Sequence, residues 1–68
     1  MRLKIHTQLI TLGQFLKLVG LVSTGGQAKE YIANNSILVN GIAAEQRGKK
    51  IYPGDVVRVN NSEYTVTR

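Results

Sequence analysis

The sequence predicts an α+β fold in which two short helices pack on a small mixed or antiparallel sheet. Three observations carry that prediction. Two successive runs hold apolar residues at helical spacing behind Ser or Thr caps, an Asn-Gly pair joins two apolar triplets, and the final run from Glu63 to Thr67 alternates apolar with polar residues. At 68 residues the chain makes one domain, residues 1–68, with no internal repeat or low-complexity segment. A domain of this size buries only about 60% of the surface its unfolded chain exposes. With no cysteine to form a staple, the core has to come from aliphatic side chains, and a hydrophobic content of 43% is enough for a small one.

Leu3, Ile5 and Thr7 alternate with Lys4 and His6, the period of a short edge strand, with His6 on its solvated side. Thr11 opens the first helix, and Gln14 stands at capping-box spacing from it. Leu12, Phe15, Leu16 and Val19 form one apolar stripe, Lys17 faces outward, and Gly20 supplies a left-handed stop. After the connector Leu21-Val22, Ser23 or Thr24 caps a second helix, with Gln27 three residues beyond Thr24. Ala28, Tyr31 and Ile32 are its buried side, and Asn34-Asn35 is a left-handed terminator.

Asn40-Gly41 then forms a tight hairpin turn, because both central positions need positive φ. In that register Val39 opposes Ile42, so Ile37, Val39, Ile42 and Ala44 share a face. Glu45 to Lys50 is a polar, basic linker. Tyr52-Pro53-Gly54-Asp55 reads as a type II turn, with proline setting φ and glycine taking the positive-φ position. A strand at Val56 to Val59, a turn at Asn60-Asn61-Ser62 and an alternating strand from Glu63 to Thr67 complete the chain.

Nine Lys and Arg residues against four Asp and Glu leave a formal charge of +5, which favours an anionic partner, nucleic acid above all. Catalysis and metal binding are not expected. There is no cysteine nucleophile, no Gly-x-Ser-x-Gly elbow and no phosphate loop of the Walker type. His6 stands alone, and Glu30, Glu45, Asp55 and Glu63 are spread singly along the chain. No apolar run approaches the roughly 18 residues of a membrane span. Met1-Arg2-Leu3-Lys4 looks like the start of a signal peptide, but His6, Thr7, Gln8 and Thr11 break the apolar stretch that such a peptide needs. The expectation is a cytoplasmic protein with no cofactor and no membrane partner.

Two segments have the chemistry of an RNA contact. Ser23-Thr24-Gly25-Gly26-Gln27 opens the second helix, where unpaired N–H groups and the helix dipole favour an anion and two glycines allow close approach. Arg47-Gly48-Lys49-Lys50 puts three cations into four residues beside a hairpin. Lys17 and Lys29 extend the same patch from the two helices. Phe15 and Tyr31 fit the core, which leaves only Tyr52 and Tyr64 as rings for base stacking; backbone charge and shape are the better mode of recognition. Arg2, Lys4, Arg58 and Arg68 have no evident place in this patch.

An ordered set of segments also has a family look. Phe15 to Lys29, with its Ser23-Thr24-Gly25-Gly26-Gln27 core, is followed by Ile37-Leu38-Val39-Asn40-Gly41, Arg47-Gly48-Lys49-Lys50 and Pro53-Gly54-Asp55-Val56-Val57. Over residues 9–60 this resembles the S-four, or alpha-L, RNA-binding domain, and within it the short stand-alone bacterial members of the YaaA and YbcJ type. The resemblance implies a basic surface of two helices and a hairpin docked on folded RNA. Carried over by position, Ser23, Thr24, Gln27, Lys29, Asn40, Arg47, Lys49 and Lys50 face RNA, with Lys17 as a flank. Many members of the family carry an arginine directly after the serine that opens the second helix. Here Thr24 stands in its place, and the backbone amides at Gly25 and Gly26 are the expected partial replacement.

The function expected is therefore non-catalytic binding of structured RNA, ribosomal RNA included, with the ribosome as a partner. The alternative is a protein-interaction module in a ribosome- or DNA-associated assembly. Duplex-DNA binding is a weaker third reading, since the second helix offers Lys29 as its one cation. Neither oligomeric state nor sequence specificity is legible.

Overall fold

A computed structural model describes residues 1–68. In chain order the elements are β1 (Arg2–Lys4), β2 (Ile10–Thr11), α1 (Leu12–Leu18), α2 (Gly25–Asn34), β3 (Ile37–Val39), β4 (Ile42–Ala43), β5 (Lys50–Ile51), β6 (Val56–Val59) and β7 (Ser62–Thr67). Five strands form one mixed sheet in the order β1-β7-β6-β3-β4, parallel between β1 and β7 and antiparallel elsewhere. β2 and β5 form a separate two-stranded antiparallel ribbon. No helix is long and apolar enough to cross a membrane.

The local signals behave largely as their chemistry predicts. Thr11 caps α1 with the full capping box: its hydroxyl accepts from Gln14 N–H, and Gln14 Oε1 accepts from Thr11 N–H. Gly20 takes φ 82° just past the helix. Asn40 and Gly41 take φ 53° and 81°, and Val39 pairs with Ile42 as the tight turn requires. Gly54 takes φ 97° in a turn closed by Asp55 N–H to Tyr52 O at 3.0 Å.

The core lies between the helical stripes and one face of the sheet. Phe15, Leu12, Leu16, Ile51, Val57 and Val66 are its largest fully buried side chains. Each such burial stabilises by roughly 1.5–3 kcal/mol before conformational entropy is set against it. The cross-strand register puts Ile37, Val39, Val57, Val59, Tyr64 and Val66 on the covered face.

Three expectations are corrected. Tyr64 is a core aromatic as well: it is buried and meets Phe15 edge to face with centroids 5.3 Å apart, while Tyr31 is half-buried and packs against the core from α2. Tyr64 is therefore not a stacking ring. Asn35 ends α2 in extended, not left-handed, geometry, and its side-chain amide donates to Tyr31 O instead. Ile42 shares a face with Val39 as expected, and it is 73% exposed because β4 is a two-residue edge strand whose groove is walled by the following loop and not by a helix. The last turn is confined to Asn60-Asn61, because Ser62 already pairs with Val59.

Asn40 does more than turn the chain. Its Nδ2 donates to Asp55 Oδ1 at 3.1 Å, its Oδ1 accepts from Val56 N–H at 2.9 Å, and Asp55 Oδ2 accepts from Tyr52 N–H at 2.8 Å. Replacing Asn40 with Ala removes this brace and places alanine at positive φ. The expected cost is about 1–3 kcal/mol, a fall in Tm of several degrees or more. Ile42→Ala, at an exposed position, should stay within about 0.5 kcal/mol. Thermal unfolding of the two variants checks both values.

Candidate nucleic-acid interface

The first turns of the two helices are satisfied in different ways. In α1, Leu12 N–H donates to Lys49 O at 2.8 Å, Gly13 N–H to Arg47 O at 2.9 Å and Gln14 N–H to Thr11 Oγ1 at 3.3 Å. The loop from Glu45 to Lys50 therefore occupies the start of α1 and closes off its free donors. In α2, Thr24 caps through Gln27 N–H to its hydroxyl at 3.1 Å, and Gln27 Oε1 accepts from Ser23 N–H at 2.6 Å. The N–H groups of Gly25 and Gly26 lie in the first turn, where a helix has no partner of its own to offer. Gly26 has no heavy atom but Thr24 Oγ1, at 3.9 Å, near the place a Cβ would occupy.

Arg47 joins the two helix starts. Its carbonyl is held by α1, and its guanidinium Nη1 donates to Gly25 O at 3.0 Å. A Cβ on Gly25 would lie 3.4 Å from that nitrogen. A cation from a different segment thus stands against the first residue of α2. The guanidinium carries five N–H donors, so most of its donor capacity is not used by the Gly25 carbonyl.

Side chains gather around this point in two neighbouring grooves. Lys29, Glu45, Gln46, Arg47 and Gly48 line the first, which has no hydrophobic wall. Lys49 lines the second with Ile42, Ala43, Ala44, Glu45 and Gln46. Lys50, in β5, pairs with the α1 cap Thr11. Lys17 is exposed in the last turn of α1 and borders a different groove with Thr7, Leu9, Ile10, Gln14 and Leu18. The structure therefore unites Ser23, Thr24, Gly25, Gly26, Gln27, Lys29 and Arg47. It sets Lys49 and Lys50 beside them, leaves Lys17 as an outlying flank, and engages the Asn40 side chain in the hairpin brace.

Gly13 and the pair Glu45-Gln46 were not singled out from the sequence. Gly13 is buried, and a Cβ there would meet Arg47 Cβ and O at 3.5 Å and Ala28 Cβ at 3.7 Å. A glycine inside a helical stripe carries no local sign of that contact. Glu45 and Gln46 line both grooves, but in sequence they look like ordinary loop residues.

Comparison with known proteins identifies the family. The model of the S4 domain, the S-four domain of the resemblance, matches residues 3–67. The chain belongs to the S4 domain family. The match takes in β1 and β7 as well as the segments from 9 to 60 that carry the motifs. The chain is also 46% identical over 57 residues to the probable ribosome maturation protein RlbA of Bacillus subtilis (strain 168), an alignment covering 84% of this chain and 80% of the relative. Membership makes this a domain of RNA-binding character in the general sense.

The close seat of Arg47 on Gly13 makes a size-dependent prediction. Gly13→Ala adds a methyl at ordinary contact distance in a helix and should be neutral or stabilising by up to about 1 kcal/mol. Gly13→Leu has to push the Arg47 backbone away and should cost about 1–3 kcal/mol. Tm values of the two variants, one unchanged or raised and the other lowered, are the check.

Proposed function

We propose that this chain is a non-catalytic module that docks on structured RNA, ribosomal RNA foremost, and reads it by backbone charge and shape in the cytoplasm. One observation carries the reading: Arg47 and Lys29 border one groove, and Arg47 is hydrogen-bonded at the start of α2 where the Gly25 and Gly26 amides are open. Together they present cations and neutral donors to the same anion, the chemistry that phosphate oxygens require. Lys49 and Lys50 continue the positive surface along the loop, and Lys17 is a flank. Asn40 acts mainly by holding the hairpin, through its bonds to Asp55 and Val56.

Ribosomal RNA is favoured because a relative of nearly the same length is named a probable ribosome maturation protein. Shape is favoured over stacking because Tyr52, 47% exposed, is the one markedly exposed aromatic ring. A non-catalytic role is favoured by membership of the S4 domain family and by the printed name of the relative.

If three or four phosphates are contacted, affinity for a folded RNA falls about 20- to 150-fold between 50 and 200 mM salt. Replacing Arg47, Lys49 and Lys50 together with Ala should lower affinity at least about tenfold and reduce the logarithmic salt slope by about 2–3. The Arg47 bond to Gly25 O adds only a small stability loss, at the low end of about 0.5–1.5 kcal/mol. Titration of structured RNA, duplex DNA and single strands at two salt concentrations is the test. Equal RNA affinity in the triple variant removes this surface from the mechanism, and salt-tolerant binding to a protein with no RNA affinity supports the protein-interaction alternative.

A further inference from the structure

The cations that the helix-side surface does not use are themselves organised. In β6, Val57 and Val59 point into the core, so Arg58 points outward. The register sets Arg58 beside Leu38 on one side and Glu63 on the other. In β1, Leu3 pairs with the buried Val66, so Arg2 and Lys4 point outward next to Thr65 and Thr67. Arg2, Lys4 and Arg58 therefore share the face of the sheet that no helix covers, with Glu63 as the acid in its rows. Strand geometry puts the Cα atoms of Arg2 and Lys4 about 7 Å apart, and that of Arg58 about 12 Å from Arg2.

This open face lacks the make-up of a protein-binding surface. Its apolar side chains are the half-buried Leu38 and Val56 and the small, exposed Ala43, and its single aromatic neighbour by register, Tyr64, points into the core. Protein interfaces centre on aromatic and apolar residues and are depleted of charge at the middle. Arginine, lysine and threonine hydroxyls are instead the usual partners of phosphate and sugar. The face also lies on the opposite side of the sheet from α2, in a molecule only 18 Å across its thinnest direction. An RNA helix is rigid on that scale, so one helix seated at Arg47 and Lys29 does not wrap around to Arg2 and Arg58.

We propose that the outer face of the sheet is a second RNA-backbone site, and that one molecule bridges two RNA segments by holding them on opposite sides. The inference rests on the RNA-binding reading of the helix side and adds to it a joining function. Arg2, Lys4 and Arg58 supply the charge, while Thr65 and Thr67 flank them.

The test immobilises one RNA hairpin, saturates it with the intact protein, and measures capture of a second, fluorescent hairpin of unrelated sequence. Native mass spectrometry supplies the stoichiometry. The wild type should capture the second hairpin in complexes of one protein and two RNAs. Arg2→Ala/Lys4→Ala/Arg58→Ala should keep affinity for the first hairpin within about twofold and lose capture of the second by about tenfold or more. Arg2→Lys/Arg58→Lys, which keeps the charge, should restore capture and shows that loss in the alanine variant is not misfolding. Undiminished capture by the alanine variant overturns the proposal, as do complexes with two proteins or a wild type that holds a single hairpin. Failure of the helix-side reading is separable: in that case the Arg47/Lys49/Lys50 variant binds the first hairpin as the wild type does.

Discussion

Two main-chain hydrogen bonds hold the cationic loop where it can act. Leu12 and Gly13 donate their N–H groups to Lys49 O and Arg47 O, so the first turn of α1 and the loop satisfy each other's backbone. The loop from Glu45 to Lys50 has no buried side chain of its own, and without this seat nothing apolar would fix its path. A small residue at Gly13 permits the approach, since a methyl there already reaches ordinary contact with Arg47 and a longer side chain has no room. Once its backbone is held, the Arg47 side chain has a short, defined reach to Gly25. A charged residue on an exposed loop is in this way tied to rigid elements at both ends, which lowers the entropy that the proposed anion contact would still have to remove.

The two helix N-termini consequently have different roles, although both open with threonine and both use glutamine three residues on. The donors of α1 are taken by protein, whereas those of α2 at Gly25 and Gly26 remain open beside a cation. The proposed phosphate contact thus rests on a single helix start. It draws on amides and a guanidinium together, since a helix dipole by itself is worth only about 0.3–1 kcal/mol at an exposed site.

The sheet shows a comparable economy with asparagine. Asn40 and Asn60, the two non-glycine residues at positive φ, both sit at turns and both fasten neighbouring segments. Asn40 ties the first hairpin to the Pro-Gly turn. Asn60 accepts from Ser36 N–H and donates to Asn35, joining the second hairpin to the end of α2. In a domain without disulfides these polar ties lie at the rim of a core that is wholly hydrophobic. Helices cover only one side of the sheet, so the other side is free to carry charge, and the basic excess is divided between the two sides.

Local chemistry was legible in the sequence because it depends on neighbours a few residues apart. The helix caps at Thr11 and Thr24, the Asn40-Gly41 turn and the Pro53-Gly54 turn are all of this kind, and so is the apolar stripe of α1. The charge excess and the ordered motifs likewise pointed to RNA, and the family match bears out the resemblance. The features that the residues alone left open depend on contacts between distant segments. The parallel pairing of β1 with β7 joins the two ends of the chain, and the β2–β5 ribbon spans roughly forty residues with only two paired positions. The burial of Tyr64 in the core comes from that sheet register, as does the outward face given to Arg2, Lys4 and Arg58. The seat of Arg47 between two helix starts was equally out of reach, because it is made by hydrogen bonds to segments more than twenty residues away, and such pairings leave no local pattern to read.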